Sequence, residues 1–343
     1  MDDSALVRQT LRRELESHPE VEVVGAAPDP FVARDLIKSE KPEVIVLDLE
    51  MPRMDGLDFL RRIMAMHPLP VIICSSLSQK GSETALACLE AGAVEVFGKP
   101  EAAYSIGELG RDLTRAVLAA RNTQPRAIRS APKGQVRATL SQVAQTTNQL
   151  CLIGSSTGGP VAVQEILTTL PANMPPIVVV QHMPKGFTKP FAERLNKFSA
   201  LEIREATHGE LLTPGKVLIA PAANHLRVAK NGAQLLVEVA RGPEVCYHKP
   251  SVEVLFESAA EVVGKNAMAV ILTGMGSDGA GGMKSLRDKG AYTVAQDEAS
   301  CVVFGMPKEA IAAGGACDVL PLSSIAGRMV EFAEGRHVGQ RVA

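Results

Sequence analysis

Leu150-Cys151-Leu152-Ile153-Gly154-Ser155-Ser156-Thr157-Gly158-Gly159-Pro160 decides the fold class. A short apolar run enters a glycine-rich turn, and Pro160 suits the first turn of a following helix. Strand, tight turn and helix in that order is the repeating unit of a parallel α/β sheet. Glycines permit the turn and let a second chain segment come close. A serine in this turn lies near the exposed N–H groups of a helix start, which can stabilise an oxyanion. The bland reading is a Ser-rich turn. A phosphate cradle is the weaker rival, because the segment has no Gly-Lys-Ser/Thr and no lysine.

Outward from this segment the alternation continues. Strands are expected at Leu150–Ile153, Ile177–Val180, Val217–Ala220, Ala269–Thr273 and Ala291–Ala295, with helices such as Val161–Thr169 and Pro190–Phe198 between them. Leu235–Val239 reads as an antiparallel excursion. Upstream, helices are expected at Ser4–Ser17, Pro30–Ser39, Gly56–Met66, Ser82–Ala91 and Ile106–Ala120. Strands are expected there at Val21–Gly25, Val44–Leu47, Val71–Cys74 and Val94–Phe97. Both halves therefore read as doubly wound parallel-sheet domains of the α/β class.

Charge marks the boundaries. Residues 1–120 carry 13 basic and 20 acidic residues, residues 121–147 carry 5 basic and none acidic, and residues 148–343 carry 18 of each. The basic middle piece, rich in Arg, Gln, Ser, Thr and Pro, buries too little to order itself and reads as a linker. The expected domains are thus 1–120 and 148–343, joined by 121–147. The whole chain of 343 residues has a net charge of −2, 3% aromatics and no Trp. No overall basic field or stacking platform favours nucleic acid. The longest apolar runs are too short to span a membrane, and the acidic start is not a signal peptide. A cytoplasmic location is expected. Six cysteines without C-x-x-C spacing read as buried free thiols.

Two groups of residues carry chemistry. Asp48 stands after the apolar run Val44–Leu47, where an open parallel sheet places its ligands. Asp2 and Asp3 precede the first helix, and Ser75 and Lys99 end two further strands. Converged, they would form an oxygen-rich site suited to Mg²⁺, with a carboxylate able to accept a phosphoryl group. Helix capping explains Asp2 or Asp3 equally well, but not the whole set. In the second half Ser156, His182 and Asp278 each fall just past an expected strand end, where one crevice gathers them. Ser, His and Asp so placed read as nucleophile, base and orienting acid. His208, His225 and His248 are alternative bases, with His225 the nearest rival, and Asp278 could instead cap a helix. A competing reading takes Gly274-x-Gly276-x-x-Gly279 with Asp297 as a dinucleotide fingerprint, hence a nicotinamide-dependent oxidoreductase. A non-catalytic interaction protein is a third reading.

The run Asp2-Asp3-Ser4, the run Asp48 to Gly56 and Lys99-Pro100 resemble the response-regulator receiver family over the first ~120 residues. Gly154–Pro160, Gln181–Pro184, Pro250–Phe256, Leu272–Gly279 and Ala295–Glu298 with Gly305–Pro307 resemble the catalytic domain of the chemotaxis protein-glutamate methylesterases, the CheB family. The receiver resemblance implies a flavodoxin-like fold with Asp48 as phosphoacceptor. It implies Mg²⁺ held by Asp3, Asp48 and the Glu50 carbonyl with Asp2 in support, and Ser75 and Lys99 as switch residues. Val96 stands where receivers carry an aromatic switch residue. Receivers also begin with an apolar strand leading into the acidic pair, so the expected true start lies upstream of Met1. The methylesterase resemblance implies a Rossmann-like domain hydrolysing glutamate methyl esters on chemoreceptors, with deamidation of receptor glutamines as a second outcome. Ser156, His182 and Asp278 are then catalytic, Thr157 or Met275 supplies the oxyanion hole, and hydrolysis needs no cofactor. The implied phosphodonor is the chemotaxis sensor histidine kinase, and the unphosphorylated receiver is expected to cover the crevice.

Overall fold

The structure is a computed structural model that describes residues 1–51, 54–75, 78–99, 106–121, 123 and 148–336. Nearly all of the expected linker, the tail from 337, and Pro52, Arg53 and Pro100 of the quoted motifs lie outside the described residues. The chain divides into two compact units, Met1–Ala131 and Pro132–Ala343.

In the first unit the elements run α1 (Ala5–Glu16), α2 (Pro30–Glu40), β1 (Ile45–Asp48), α3 (Gly56–Met66), β2 (Val71–Ser75), α4 (Gln79–Glu90), β3 (Glu95–Gly98) and α5 (Ile106–Ala120). Local chemistry sets the helix starts. Ser4 caps α1, Asp29 accepts from Phe31 N and Val32 N ahead of Pro30, and Asp55 caps α3. The described sheet is parallel in the order β1-β2-β3. Leu11 and Leu15 of α1 pack with Leu113 and Ala116 of α5 against Ile72 and Val94.

Val21–Gly25, expected as a strand, is not one. Its residues join no ladder among the described residues, because one strand's width separates them from β1. Met1 and Asp2 span that width: Met1 N donates to Val46 O at 2.7 Å, Asp48 N donates to Met1 O at 3.0 Å, and Asp2 N donates to Ala27 O at 3.2 Å. Beyond this bridge lies a cleft of about 460 Å³ lined by Leu11, Leu15, Val21, Val23, Val44 and Val46. Val21 and Val23 have strand propensity, but among the described residues no neighbouring strand pairs with them.

The second unit continues with β4 (Leu150–Ser155), α6 (Gly159–Leu167), β5 (Ile177–Gln181), α7 (Thr188–Asn196), β6 (Glu202–Glu205), β7 (Glu210–Leu211), β8 (Lys216–Ile219), β9 (His225–Asn231) and β10 (Gln234–Ala240). It ends with α8 (Val252–Val262), β11 (Ala267–Ile271), α9 (Ala280–Asp288), β12 (Tyr292–Gln296), α10 (Met306–Ala312), β13 (Asp318–Leu320) and α11 (Leu322–Ala333). Seven parallel strands lie in the order β13-β12-β11-β4-β5-β8-β6. Leu150, Leu152, Val178 and Ile271 turn to the face covered by Val252, Leu255 and Phe256 of α8, Met283 of α9 and Met306 of α10. β10 is the expected antiparallel excursion, paired with β7 and β9 in a small second sheet. The short strands β6, β7 and β13 escaped sequence reading. None of them carries the apolar run used to find strands, and β6 alternates buried and exposed positions at a sheet edge.

After β4 the chain adds strands on one side, through β5, β8 and β6. From β11 onward it adds them on the other. The topological switch therefore lies between β4 and β11, and a crevice opens there at the carboxyl ends of the strands.

Candidate active site and phosphoacceptor site

Backbone bonds one step beyond the strands gather the catalytic candidates. Ser156 N donates to Thr273 O at 3.0 Å, and His182 N donates to Ser155 O at 3.0 Å. The loops after β4, β5 and β11 are thereby held side by side. Gln181 reinforces the join: its Nε2 donates to Ser156 O at 2.9 Å while its Oε1 accepts from Ser155 Oγ at 2.7 Å. Glycine at 274 lets the loops close up: a Cβ there would stand 2.7 Å from Ser156 Cβ and 2.4 Å from Met306 Sδ.

Asp278 is 1% exposed. It does not cap α9, whose N-cap is Gly279 without a side-chain bond. It instead faces the N-terminus of α8. Its Oδ1 accepts from Ser251 Oγ at 2.7 Å and Glu253 N at 3.0 Å, and its Oδ2 from Val252 N at 2.7 Å. The same Oδ2 lies 2.8 Å from His182 Nε2. Burial pushes the Asp278 carboxyl up, but the His182 bond and charge, with Ser251 and Val252 N, outweigh it and hold the group below the usual carboxylate range. A helix N-terminus favours the anion further.

His182 is thus committed through Nε2. Its Nδ1 is buried and has no hydrogen-bond partner among the described residues. That is the reverse of the commoner arrangement, in which Nδ1 meets the acid. His225, the rival base, has both ring nitrogens in use: Nε2 donates to Pro243 O at 2.8 Å and Nδ1 accepts from Ser251 N at 3.3 Å. His248 stacks on His182 with ring centroids 3.7 Å apart. Thr157 is buried and its carbonyl accepts from Thr273 Oγ1, while Met275 is half-buried beside the turn. Asp297 bonds Ser300 N and Oγ as the cap of a short 3-10 turn. The glycines at 274 and 279 are filled by Ser156 and Val252, so the dinucleotide reading finds its acid and two of its glycines otherwise employed.

In the first unit Asp2, Asp3 and Asp48 present carboxylate oxygens within 4.8 Å of one another. Lys99 Nζ lies 2.7 Å from Asp2 Oδ2 and 2.7 Å from Asp48 Oδ2. Burial pushes the Asp48 carboxyl above its ordinary range despite Lys99, and Asp2 adds to the push. Burial alone would lower the Lys99 ammonium, but its bonds to Asp2 and Asp48 hold it above the ordinary value. Glu50 N donates to Asp48 Oδ1 at 3.2 Å. Ser75 Oγ is buried without a partner among the described residues. Three clustered carboxylates are hard oxygen donors and fit a divalent cation such as Mg²⁺. Val96 is buried in β3.

Ser251, Gln181 and the His248 stack were not singled out by sequence reading. Ser251 had a signal, a serine directly before the apolar positions Val252, Leu255, Phe256 and Ala259 of a helix. The cysteines also differ from expectation in part. Cys74, Cys88 and Cys151 are buried, but Cys246 is exposed in the turn beside His248, where no apolar strand or helix face draws it inward.

The two units define a class: an α/β unit with an acidic cluster at its strand ends, followed by an α/β unit that brings Ser156, His182 and Asp278 to the ends of its parallel strands. Residues 151–329 match the CheB methylesterase family, and residues 1–109 match the response regulator receiver domain. A protein-glutamate methylesterase/protein-glutamine glutaminase of Chromohalobacter salexigens is 48% identical, over 100% of this chain and 97% of that one. A relative of the same description from Anaeromyxobacter dehalogenans is 51% identical over 97% of this chain and 94% of that one. The crystal structure of the Thermotoga maritima CheB methylesterase catalytic domain is 41% identical, with a TM-score of 0.53 over 55% of this chain and 100% of that chain. This chain belongs to the CheB methylesterase family. Among the described residues no helix is long and apolar enough to cross a membrane.

Proposed function

We propose that this protein is a phosphorylation-controlled serine esterase that hydrolyses glutamate methyl esters on chemoreceptors in chemotaxis adaptation. One observation carries the reading. His182 is fixed by a buried, anionic Asp278 through one ring nitrogen, the other nitrogen is buried with no partner among the described residues, and the His182 backbone is bonded to Ser155, the neighbour of Ser156. Ser156 Oγ attacks the ester carbonyl while His182 Nδ1 takes its proton. Asp278 stabilises the imidazolium that forms. N–H groups of Thr157 or Met275 receive the oxyanion. His182 returns the proton to the departing methoxy oxygen, so methanol leaves and a glutamyl ester remains on Ser156. Water, deprotonated by His182, then attacks that ester, the bond to Ser156 Oγ breaks, and His182 returns the proton to Ser156 Oγ as the glutamate carboxylate leaves. With a glutamine side chain the same steps release ammonia, in keeping with the glutaminase half of the relatives' description.

Control belongs to the first unit. Asp48 attacks the phosphorus of a phosphodonor and becomes an acyl phosphate, and the donor's leaving group departs. Lys99 and the Ser75 hydroxyl hold the transferred oxygens. Mg²⁺ on Asp2, Asp3, Asp48 and the Glu50 carbonyl supplies charge neutralisation when bound. A sensor histidine kinase of the chemotaxis pathway supplies the phosphoryl group. Residues 1–120 and 148–343 act as receiver and esterase domains in the cytoplasm, with 121–147 as tether. A ~100-fold activation needs only about 2.7 kcal/mol of differential stabilisation between an inactive and an active state. The test is methanol release from methylated receptor membranes with Mg²⁺. Release from the wild type that is absent in Ser156→Ala supports the reading. Equal release by both overturns it.

A further inference from the structure

A second histidine stands against the catalytic one. His248 stacks its ring on His182, with centroids 3.7 Å apart and planes 17° from parallel. Its backbone is held in place. Val245 N donates to His248 O at 3.1 Å and His248 N donates to Val245 O at 3.0 Å, which closes a two-residue hairpin. The central residues Cys246 and Tyr247 have φ of 51° and 65°. Positive φ at both central positions is the mark of a type I′ turn, in which glycine or asparagine is usual. Two side-chain-bearing residues there are strained, and such strain persists only where surrounding contacts fix it.

The root of the hairpin is tied to the catalytic acid. His225 Nε2 donates to Pro243 O at 2.8 Å, Lys249 Nζ donates to Gly242 O at 3.1 Å, and Ser251 Oγ donates to Asp278 Oδ1 at 2.7 Å. Asp278 and the hairpin therefore share one anchor, and they meet the His182 ring from two directions. Asp278 takes an edge and His248 takes a face.

The edge contact alone leaves a freedom. The torsion that turns a histidine ring about its Cβ–Cγ bond is broad. Nε2 lies closer to that axis than Nδ1 does. A single bond at Nε2 therefore restrains the swing of Nδ1 weakly, and Nδ1 is the nitrogen left to meet Ser156. A flat ring packed on the imidazole face blocks the swing directly. We infer that His248 is a positioning residue, which holds the plane of His182 so that Nδ1 stays aimed at the Ser156 hydroxyl. This rests on the esterase reading above.

The shape of His248, rather than its ring nitrogens, then does the positioning, and this makes the inference testable. The full-length protein is assayed for methanol release from methylated receptor membranes with Mg²⁺ and a small phosphodonor, alongside Ser156→Ala. His248→Ala is expected to lower kcat by about 10- to 100-fold, the scale of a slightly misplaced reacting group, with KM unchanged. His248→Phe, which restores a flat ring without nitrogens, is expected to recover kcat to within about threefold of wild type. A wild-type kcat in His248→Ala overturns the inference. So does a His248→Phe no better than His248→Ala, or a loss confined to KM. Thermal unfolding is followed for both variants. A His248→Ala that fails to fold beside a fully active His248→Phe assigns a packing role and also overturns it. Ser156→Ala as active as wild type would overturn the esterase reading itself, and the inference with it.

Discussion

Asp48 and Asp278 are each 1% exposed, yet burial prevails at one and is overcome at the other. Asp278 accepts from two backbone N–H groups at the start of α8, the Ser251 hydroxyl and His182, and the Cys246 thiol also hydrogen-bonds it. Among the described residues Asp48 has Lys99 and one backbone N–H, and it shares Lys99 with the carboxylate of Asp2. The first is a finished anion held below its ordinary pKa range, and the second is held above its own. A fully compensated carboxylate can orient and stabilise a neighbouring cation through a reaction without changing state. An under-compensated one gains from an incoming cation or from covalent modification. The two sites differ less in residue type than in how many donors the fold has supplied.

Substitutions at the two sites should part company in activity and in stability. Ser156→Ala should abolish turnover, with a fall of about 10⁴-fold or more in kcat and an unchanged fold by circular dichroism, since the group removed is the proposed nucleophile. Asp278→Asn should come next, with kcat down by about 10³- to 10⁴-fold, because the amide cannot stabilise the imidazolium and turns the wrong group toward His182. In the same variant, denaturant unfolding should show a loss of about 3 kcal/mol, from breaking a buried pair and leaving donors of α8 poorly matched. Asp48→Asn should behave oppositely in stability. It relieves the repulsion with Asp2, so without Mg²⁺ its unfolding midpoint should equal or exceed that of wild type, while any response to phosphodonor disappears. A clear destabilisation by Asp48→Asn would show that its charge is as well compensated as that of Asp278.

The pH dependence follows from the direction of the shift. The folded pKa of Asp278 lies below the unfolded value near 3.8, so its contribution is fully present above about pH 4. It is lost as pH falls through the folded value. Unfolding followed as the pH falls below about 4 should therefore have a shallower acid limb in Asp278→Asn than in wild type. An unchanged slope would remove Asp278 as a source of acid lability. The smallest effect is expected at Gly274→Ala. The added Cβ, 2.7 Å from Ser156 Cβ, should shift the nucleophile and lower kcat by about 10-fold without loss of the fold.

Much of the architecture could be read from the chain. The helices Gly56–Met66 and Ile106–Ala120 have the expected bounds, and β4, β5, β11 and β12 fall on their apolar runs. Such runs are legible because strands buried on both faces leave no room for polar alternation. Val21–Gly25 was misread for a related reason. Its valines announce extended backbone, but pairing depends on a neighbour in register, which composition does not encode. The placement of Ser156, His182 and Asp278 just past strand ends was legible from the apolar runs that precede them. The His248 stack was not, because it depends on a hairpin closed by two residues with positive φ, Cys246 and Tyr247, at positions where sequence predicts glycine or asparagine. The use of His182 Nε2 toward Asp278 is likewise a matter of ring orientation, which no motif specifies.

The contrast between the two carboxylates is tested most directly by measuring methanol release from methylated receptor membranes in Asp48→Asn and Asp278→Asn side by side, each with Mg²⁺ and with or without phosphodonor. Asp48→Asn is expected to release methanol at one rate in both conditions, and Asp278→Asn to release almost none in either. A phosphodonor response in Asp48→Asn, or near-wild-type release by Asp278→Asn, would contradict it.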